Sequence, residues 1–433
     1  MKKIFFLPFV TLLVFIVNAN SQDWPQFLGP DRNSHSDQKG VMRSWPENGP
    51  EVLWTVDVGI GFGGPSVKNG RVYLLDRYDE VGDSLRVFDL VDGKELWSFG
   101  YSSPGSVSFP GSRGVPTVDD NFVYSVGQNG ELYCIDINTH KPVWNKNIWK
   151  DFGGGEVPTW AITQSPLIYG DLLIVASQAP DAGVVAYDKL TGDLKWKTPA
   201  IGNVGYVSPS IVKIDADDHL VMITGSSRSP GGDGKVVGIE PLTGNLLWEY
   251  SEWDCVIPVP SAVDAGENRV LITGGYALGA TMIKVEKNAD GRYVTTELFT
   301  TEEFGDQTKT PLMHNGYFYA QYGTNNRRDG LVCMDMNGEI MWKTRRSPDF
   351  NKGSMILADG LILATDGQFS LYLIEPDPAE FRPIASAELL KEDGDAGASG
   401  SGAPTQNWAP IALADGKLLI RDQSRMLCVK VAE

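Results

Sequence analysis

The sequence predicts an all-β protein, an eight-bladed β-propeller whose blades are four-stranded antiparallel sheets. Three observations lead to this prediction. An internal repeat recurs at a spacing of roughly 50 residues, each repeat opens with two short apolar strands, and most repeats close on a strand that carries tryptophan. The composition agrees, because 48 Gly and 26 Pro residues suit many short strands joined by tight turns.

The closing half of the repeat has its clearest copy at residues 188–196, DKLTGDLKW. The interval from the acidic residue to the tryptophan is eight residues in the copies that end at Trp97, Trp144, Trp196 and Trp248, and a copy shortened by one ends at Trp342. The glycine tolerates the positive φ of a tight turn between two strands. The tryptophan then begins the outer strand, where we expect its ring to pack between neighbouring blades.

The opening half of the repeat is a proline or small residue followed by an apolar strand, a turn and a second apolar strand. The eight starts are Pro65, Pro116, Pro166, Pro209, Pro260, Pro311, Gly353 and Pro410. Closing strands also number eight if Phe299 replaces one tryptophan and the region of Leu389 closes a repeat without an aromatic residue. The counts agree only if the strand around Trp54 completes the blade that starts at Pro410. The N-terminal strand is therefore predicted to join the last blade and close the ring, which removes exposed sheet edges.

Residues 1–21 have the pattern of a secretory signal peptide. Lys2 and Lys3 precede an apolar run at 4–17, and the small residues Ala19 and Ser21 follow. Because the run is short for a membrane span, we interpret it as a cleaved signal, with an uncleaved anchor as the alternative. Residues 22–433 are then predicted to form one propeller domain, in the periplasm or outside the cell. The Gly- and Ser-rich stretch 391–403 is predicted to be a long connection within that domain.

The net charge of −18 disfavours nucleic acid and anionic lipid as partners. No second apolar stretch approaches the length of a membrane span, and we expect a monomer without a membrane span after signal cleavage. The four cysteines could form disulfides in an exported protein. However, Cys134, Cys333 and Cys428 occupy one repeat position that suits a small buried apolar residue, so we predict free, structural thiols.

The pattern Asp-x-x-Thr-Gly-x-x-x-Trp resembles the tryptophan-docking motif of the quinoprotein-like propellers, which contain pyrroloquinoline quinone (PQQ) repeats. That superfamily holds dehydrogenases that bind PQQ with a calcium ion, and non-enzymatic, BamB-like scaffolds of outer-membrane protein assembly. Residues 23–33, DWPQFLGPDRN, are similar to the opening of exported BamB-like repeat proteins. The chain departs from the dehydrogenases, because no two of its cysteines are adjacent and their calcium-ligating and catalytic residues find no match. It also lacks the lipidated cysteine of BamB.

The loops that converge on the mouth of a propeller's central channel are the expected place for a ligand. Segments that precede the inner strands carry rings, amides and charges at one structural level. Nine candidate ligand-binding residues are selected there: Arg113, Trp160, Gln164, Tyr206, Asp254, Asp306, Lys309, Lys352 and Trp408. Aromatic faces and cations could hold a planar anion, a sugar or an extended peptide. The alternative is that the tryptophans pack between blades and the charged residues pair or face solvent.

The function predicted from the sequence is that of an exported, non-catalytic propeller that binds or scaffolds a protein, a small molecule or a glycan at the channel mouth. No catalytic or metal-binding residue is assigned, since Asp89, Asp136 and Asp188 recur at one repeat position and are predicted to hold turns. The resemblance implies an alternative, a divergent dehydrogenase that uses PQQ with calcium. A carbohydrate-binding or carbohydrate-cleaving propeller is a third hypothesis.

Overall fold

The computed structural model describes residues 22–227, 232–324, 327–390 and 406–433. The predicted signal peptide and the predicted connection 391–403 lie outside the described residues. Within the described parts of the chain, no helix is long and apolar enough to cross a membrane.

The strands form eight sheets, and the four strands of each blade follow one another in the chain in all blades but the last. Blade one holds β3 (Ser66–Lys68), β4 (Arg71–Tyr78), β5 (Gly82–Asp89) and β6 (Glu95–Ser102). Blade two holds β7 (Thr117–Val118), β8 (Phe122–Val126), β9 (Glu131–Asp136) and β10 (Pro142–Asn147). Blade three holds β11 (Leu167–Tyr169), β12 (Leu172–Val175), β13 (Val185–Asp188) and β14 (Leu194–Lys197). Blade four holds β15 (Ser210–Ile214), β16 (Asp217–Ile223), β17 (Val236–Ile239) and β18 (Leu246–Tyr250).

The second half of the ring repeats this order. Blade five holds β19 (Val263–Asp264), β20 (Arg269–Gly274), β21 (Gly279–Lys287) and β22 (Tyr293–Thr301). Blade six holds β23 (Leu312–His314), β24 (Tyr317–Thr324), β25 (Arg327–Asp335) and β26 (Ile340–Lys343). Blade seven holds β27 (Met355–Ala358), β28 (Leu361–Thr365), β29 (Ser370–Glu375) and β30 (Arg382–Glu388). Blade eight holds β31 (Ala412–Ala414), β32 (Lys417–Arg421), β33 (Arg425–Lys430) and β2 (Val52–Asp57). One 3-10 turn, η1 (Lys150–Phe152), follows β10, and β1 (His35–Ser36) adds a parallel strand to β27.

Blade eight closes the ring as the sequence predicts. Strand β2 pairs antiparallel with β33, and Trp54 lies opposite Cys428. A single apolar cluster joins blades seven, eight and one, and it includes Trp54, Phe88, Leu373 and Leu419. The N-terminal and C-terminal strands therefore share one sheet, and both faces of that sheet are covered by neighbouring blades.

The aromatic side chain in the outer strand of one blade packs on a turn of the next blade. A Cβ atom added to Gly93 would lie 2.7 Å from the Trp54 ring, which explains why this turn position, with a φ of +71°, is glycine. The same contact joins Trp144 to Gly192, Trp196 to Gly244 and Phe299 to Gly338. Where blade two has His140 in place of glycine, the imidazole stacks on Trp97 at 4.5 Å and 9°. Indole N–H groups add hydrogen bonds to backbone carbonyls of the next blade, from Trp54 to Leu90, Trp144 to Lys189 and Trp342 to Asp377.

Blade seven corrects one detail of the sequence analysis. Phe299 occupies the expected register position, opposite Met282 at the bulge of its blade. The equivalent position in blade seven belongs to Ala385, opposite Leu373, whereas Leu389 follows the end of β30. The closing strand thus lies several residues earlier than the apolar pattern near Leu389 suggested. The sequence misplaces it because no aromatic residue marks its position.

The predicted turn acids and thiols are confirmed. Asp89 accepts the backbone N–H of Val91, and Asp136 and Asp188 make the same contact two residues on in their own turns. The four cysteines are free and buried. Burial raises the pKa of the thiols of Cys134, Cys255, Cys333 and Cys428 to about 12, which is typical of inert core residues.

We expect the substitution Trp54→Ala to lower the free energy of unfolding by about 3–5 kcal/mol, because it removes a buried ring at the closure of the propeller. Chemical denaturation followed by circular dichroism measures the change. The control is Leu96→Ala, on an exposed outer strand with 43% of the side chain accessible, which should change stability by less than about 0.5 kcal/mol. Equal losses in the two variants would contradict the closure role of Trp54.

Candidate functional site

The N-terminal segment 22–36 occupies the central channel. It contacts inner strands, or residues beside them, in five blades through the pairs Trp24–Val67, Pro25–Val118, Arg32–Pro166, His35–Met313 and His35–Leu357. Positive φ angles at Leu28, Arg32 and Ser34 turn the chain back on itself before it runs down beside β27. Phe27 of this hairpin-like segment is one of the residues that line a cavity.

The cavity has a volume of about 420 Å³, which is within the size range of small-molecule sites. All eight connections that lead into inner strands contribute to it, together with Phe27 and the β20–β21 turn. Its lining is Phe27, Phe62, Phe109, Arg113, Val115, Trp160, Thr163, Ser165, Tyr206, Ser208, Ile257, Val259, Tyr276, Gln307, Thr308, Lys309, Lys352, Trp408 and Pro410.

Aromatic rings form two walls. On one side Phe62, Phe109 and Trp408 make a cluster, with ring centroids 5.6–6.1 Å apart. On the other side Trp160 and Tyr206 meet edge to face at 5.5 Å. Phe109 is 40% exposed, so part of the first wall faces solvent. Rings with free faces at a cavity are suited to stacking on a planar ligand.

Three cations line the same cavity. The Lys352 ammonium lies 4.3 Å above the Trp408 ring, and the Arg113 guanidinium lies 5.6 Å from the Phe62 ring. Arg113 also donates to the Ser108 and Phe109 carbonyls. Burial lowers the pKa of Arg113 to about 10, so the group keeps its charge at neutral pH. Lys352 and Arg113 are thus held by aromatic faces and backbone carbonyls.

Lys309 is the most deeply buried of the three, with 8% of its surface exposed. Burial lowers the pKa of its amine to about 8, an effect that Lys352 strengthens and Asp306 partly opposes. Asp306 lies beneath it and accepts the backbone N–H groups of Thr308 and Lys309 at 2.9 and 2.8 Å. Burial raises the pKa of Asp306 to about 6 despite these donors. The short turn from Asp306 to Lys309 thus fixes where the lysine enters the cavity.

Six of the nine residues selected from the sequence line the cavity: Arg113, Trp160, Tyr206, Lys309, Lys352 and Trp408. Three do not. Gln164 is buried and bonds through both amide atoms to the backbone of Ala176. Asp254 is exposed and lies against Gly232, and Asp306 is buried beneath the lining.

Four aromatic lining residues were not selected from the sequence: Phe27, Phe62, Phe109 and Tyr276. Phe62 could have been found, since it is the one ring in the glycine-rich connection 59–64. Phe27 could not, because its place depends on the path of the N-terminal segment through the channel. Tyr276 comes from a turn between two strands of blade five, where it has a φ of +58°.

A buried arginine fixes the connection between β2 and β3, which carries Phe62. Arg421 of β32 donates to the carbonyls of Gly63 at 3.1 Å and Gly59 at 2.5 Å, and to Ser112 Oγ at 3.1 Å. Asp76 of β4 accepts the Gly59 N–H and lies 3.7 Å from the guanidinium. The Arg421 and Asp76 side chains are fully buried, so this contact links blade eight to blade one directly behind the cavity.

We expect Arg421→Met to lower the free energy of unfolding by about 3 kcal/mol, because it leaves buried carbonyls without a donor and removes a buried charge partner. Urea titration at pH 7 measures the change. The matched control is Arg382→Met, whose ion pairs lie on the surface and whose loss should cost less than about 1 kcal/mol. A stable Arg421 variant would contradict the linking role.

The PQQ and calcium pair does not fit this cavity. Calcium requires about six to eight oxygen ligands, usually including carboxylates, and no Asp or Glu of the described residues lines the cavity. In the same parts of the chain no group of three or more His, Cys, Asp or Glu side chains could hold a metal ion. A planar polyanion alone is compatible with the rings and cations. The misfit therefore concerns the metal rather than the shape or charge of the quinone.

Comparisons with known proteins agree with the fold and give two kinds of relative. Residues 82–254 match the family described as outer membrane protein assembly factor BamB. BamB of Moranella endobia is 22% identical over 343 residues, which cover 72% of this chain and 78% of BamB. Quinohemoprotein alcohol dehydrogenase of Comamonas testosteroni is 24% identical over 295 residues, which cover 54% of this chain and 40% of the enzyme. The crystal structure of BamB from Moraxella catarrhalis superposes with a TM-score of 0.56 at 12% identity, over 87% of this chain and 96% of that one.

The fold and the cavity define the class of protein: an eight-bladed propeller with a ligand-sized cavity at the mouth of a closed channel. The chain is similar to the PQQ-repeat, BamB-like propellers: residues 82–254 match the BamB family, and its relatives include BamB and quinoprotein dehydrogenases. The alignment spans less than half the length of the dehydrogenase from Comamonas testosteroni.

Proposed function

We propose that this protein is a non-catalytic binding propeller that works outside the cytoplasm and holds a planar anionic ligand at the channel mouth. The observation that carries the proposal is the cavity lining, which combines aromatic rings with three cations and, among the described residues, no carboxylate. Such a lining attracts an anion and offers its rings as stacking surfaces. The ligand can be a free molecule or a group carried by a protein partner, as in a scaffold.

The same lining argues against hydrolytic and dehydrogenase chemistry of the usual kinds. Histidine and carboxylates are the commonest general bases at neutral pH, and the described lining contains neither; its ionisable groups are two lysines, Arg113, Tyr206 and Tyr276. Lewis-acid chemistry with calcium would need the oxygen ligands that the lining lacks. The quinone-dependent alternative is supported by the dehydrogenase relatives, and it is the outcome against which the proposal is tested.

Titration with PQQ in the presence of calcium, and again in EDTA, separates the two functions. We expect quenching of tryptophan fluorescence with the same dissociation constant in both buffers, because the cations need no metal to hold the ligand. We also expect no reduction of an artificial electron-acceptor dye with alcohols or sugars. Calcium-dependent binding accompanied by turnover would establish the dehydrogenase instead, and absence of any binding would contradict the proposed site.

The charge of Lys309 gives a pH dependence. We expect the affinity for naphthalene-2,6-dicarboxylate, a planar dianion, to fall as the pH rises through about 8, because the Lys309 amine loses its proton there. Isothermal titration calorimetry at pH 7 and pH 9 measures the change. The control is Lys309→Arg, which keeps its charge and should bind equally at both pH values. An identical decline in the variant would mean that Lys309 is not the titrating group.

Lys352 is expected to contribute through its charge alone. Lys352→Gln should weaken the same dianion by roughly tenfold or more, since a hydrogen bond to a charged group contributes about 1.5–3 kcal/mol. Lys352→Arg should retain most of the affinity, and the control Lys213→Gln, at an exposed site in blade four, should retain all of it. Unchanged affinity in Lys352→Gln would remove this residue from the site.

A further inference from the structure

We propose that Lys309 is a nucleophile that captures the carbonyl group of a planar anionic ligand as a reversible imine. This inference rests on the proposed function, because it uses the same cavity and the same neighbouring cations. It adds a chemical class to the ligand, which would be an aromatic aldehyde or a keto acid rather than any planar anion.

The first support is the position of the amine. Lys309 lines the cavity although it is almost entirely buried, and its backbone is held by Asp306 just before β23 begins. Among the described residues, no carboxylate forms a salt bridge with Lys309. Several surface lysines are paired in this way, such as Lys213 with Asp218 at 2.7 Å. A buried lysine without a salt bridge at the wall of a ligand-sized cavity is placed to react rather than to bind an acid of its own chain.

The second support is the electrostatic surroundings. Burial and the nearby Lys352 favour the neutral amine, and they hold the pKa of Lys309 near 8 instead of the ordinary lysine value of 10.5. The charged groups that act on it are Asp306, which raises its pKa, and Lys352 of the next connection, which lowers it; Tyr276 lines the same cavity. Asp306 acts in the opposite direction, but burial is the larger cause and keeps the pKa of Lys309 below its ordinary value. Desolvation and an adjacent cation are the two recognised ways to make a lysine nucleophilic.

The third support is the set of groups around the amine, which suits the remainder of such a ligand. Lys352 and Arg113 can bind a carboxylate or phosphate, and Trp408 and Trp160 can stack on a ring. The step itself is balanced without any redox partner. The neutral amine nitrogen attacks the carbonyl carbon, the carbonyl oxygen is protonated and leaves as water, and a carbon–nitrogen double bond forms. Water reverses the same step and releases the ligand.

Pyridoxal 5′-phosphate, a planar anionic aldehyde, is the probe for this inference. The full chain is incubated with it at pH 7.5, reduced with borohydride to make the adduct permanent, and digested for peptide mapping by mass spectrometry. We expect Lys309 to be labelled at least tenfold faster than exposed lysines such as Lys213, because its neutral fraction at this pH is on the order of a hundredfold greater. We also expect the labelling to increase between pH 7 and pH 9, as the amine loses its proton.

Two matched controls separate this inference from the proposed function. Pyridoxine 5′-phosphate has an alcohol in place of the aldehyde, so it should bind and protect Lys309 without being trapped. Lys309→Arg removes the nucleophile, so its absorbance band for the imine should be lost with pyridoxal 5′-phosphate, whereas Lys213→Gln, at an exposed site outside the cavity, should keep that band. If pyridoxine 5′-phosphate binds but Lys309 is labelled no faster than Lys213, the inference is overturned and the proposed function stands. If neither compound binds, both are overturned.

Discussion

The rest of the structure depends on the contact between the aromatic ring of one blade and the turn of the next. A four-stranded sheet has two apolar faces and is not stable alone, so each blade needs a neighbour on both sides. The contact of Trp54 with Gly93 is the link that makes this chain of neighbours circular, since Trp54 comes from the N-terminal strand of the last blade. Because the ring is closed, the eight connections at its mouth are held at fixed distances. A precise cavity can therefore be built from loops.

The fold could be predicted because its determinants are local and repeated. The interval from turn acid to tryptophan is readable in the sequence, and the structure places both where the repeat requires them. Blade seven marks the limit of this reasoning. Ala385 stands there in place of the aromatic residue, so the sequence gives no signal for the register of that strand. The site was predicted in part for a related reason. The repeat indicates which segments reach the mouth, but the direction of each side chain depends on neighbours that the repeat does not specify, as the backbone contacts of Gln164 illustrate.

The N-terminal segment carries information that no local pattern reveals. Its partners are inner strands of blades far apart in the sequence. By filling the channel it places Phe27 in the lining of the cavity and brings Arg32 within 5.6 Å of that ring. A segment that resembles a family's opening motif thus has a physical role here, because it packs against inner strands of several blades and contributes Phe27 to the cavity.

The charge distribution at the mouth supports the proposal that an anion binds there. The chain carries a net charge of −18, yet the described lining of its cavity contains Arg113, Lys309 and Lys352 and no acid. Cations that are partly desolvated without an acidic partner lower the stability of the free protein, and the lowered pKa values of these three residues express that cost. An anion that enters the cavity would compensate the charges. Pairing these charges with an anion would remove that destabilisation and so add to the free energy of binding. Ligand sites commonly lower the stability of the free protein in this way.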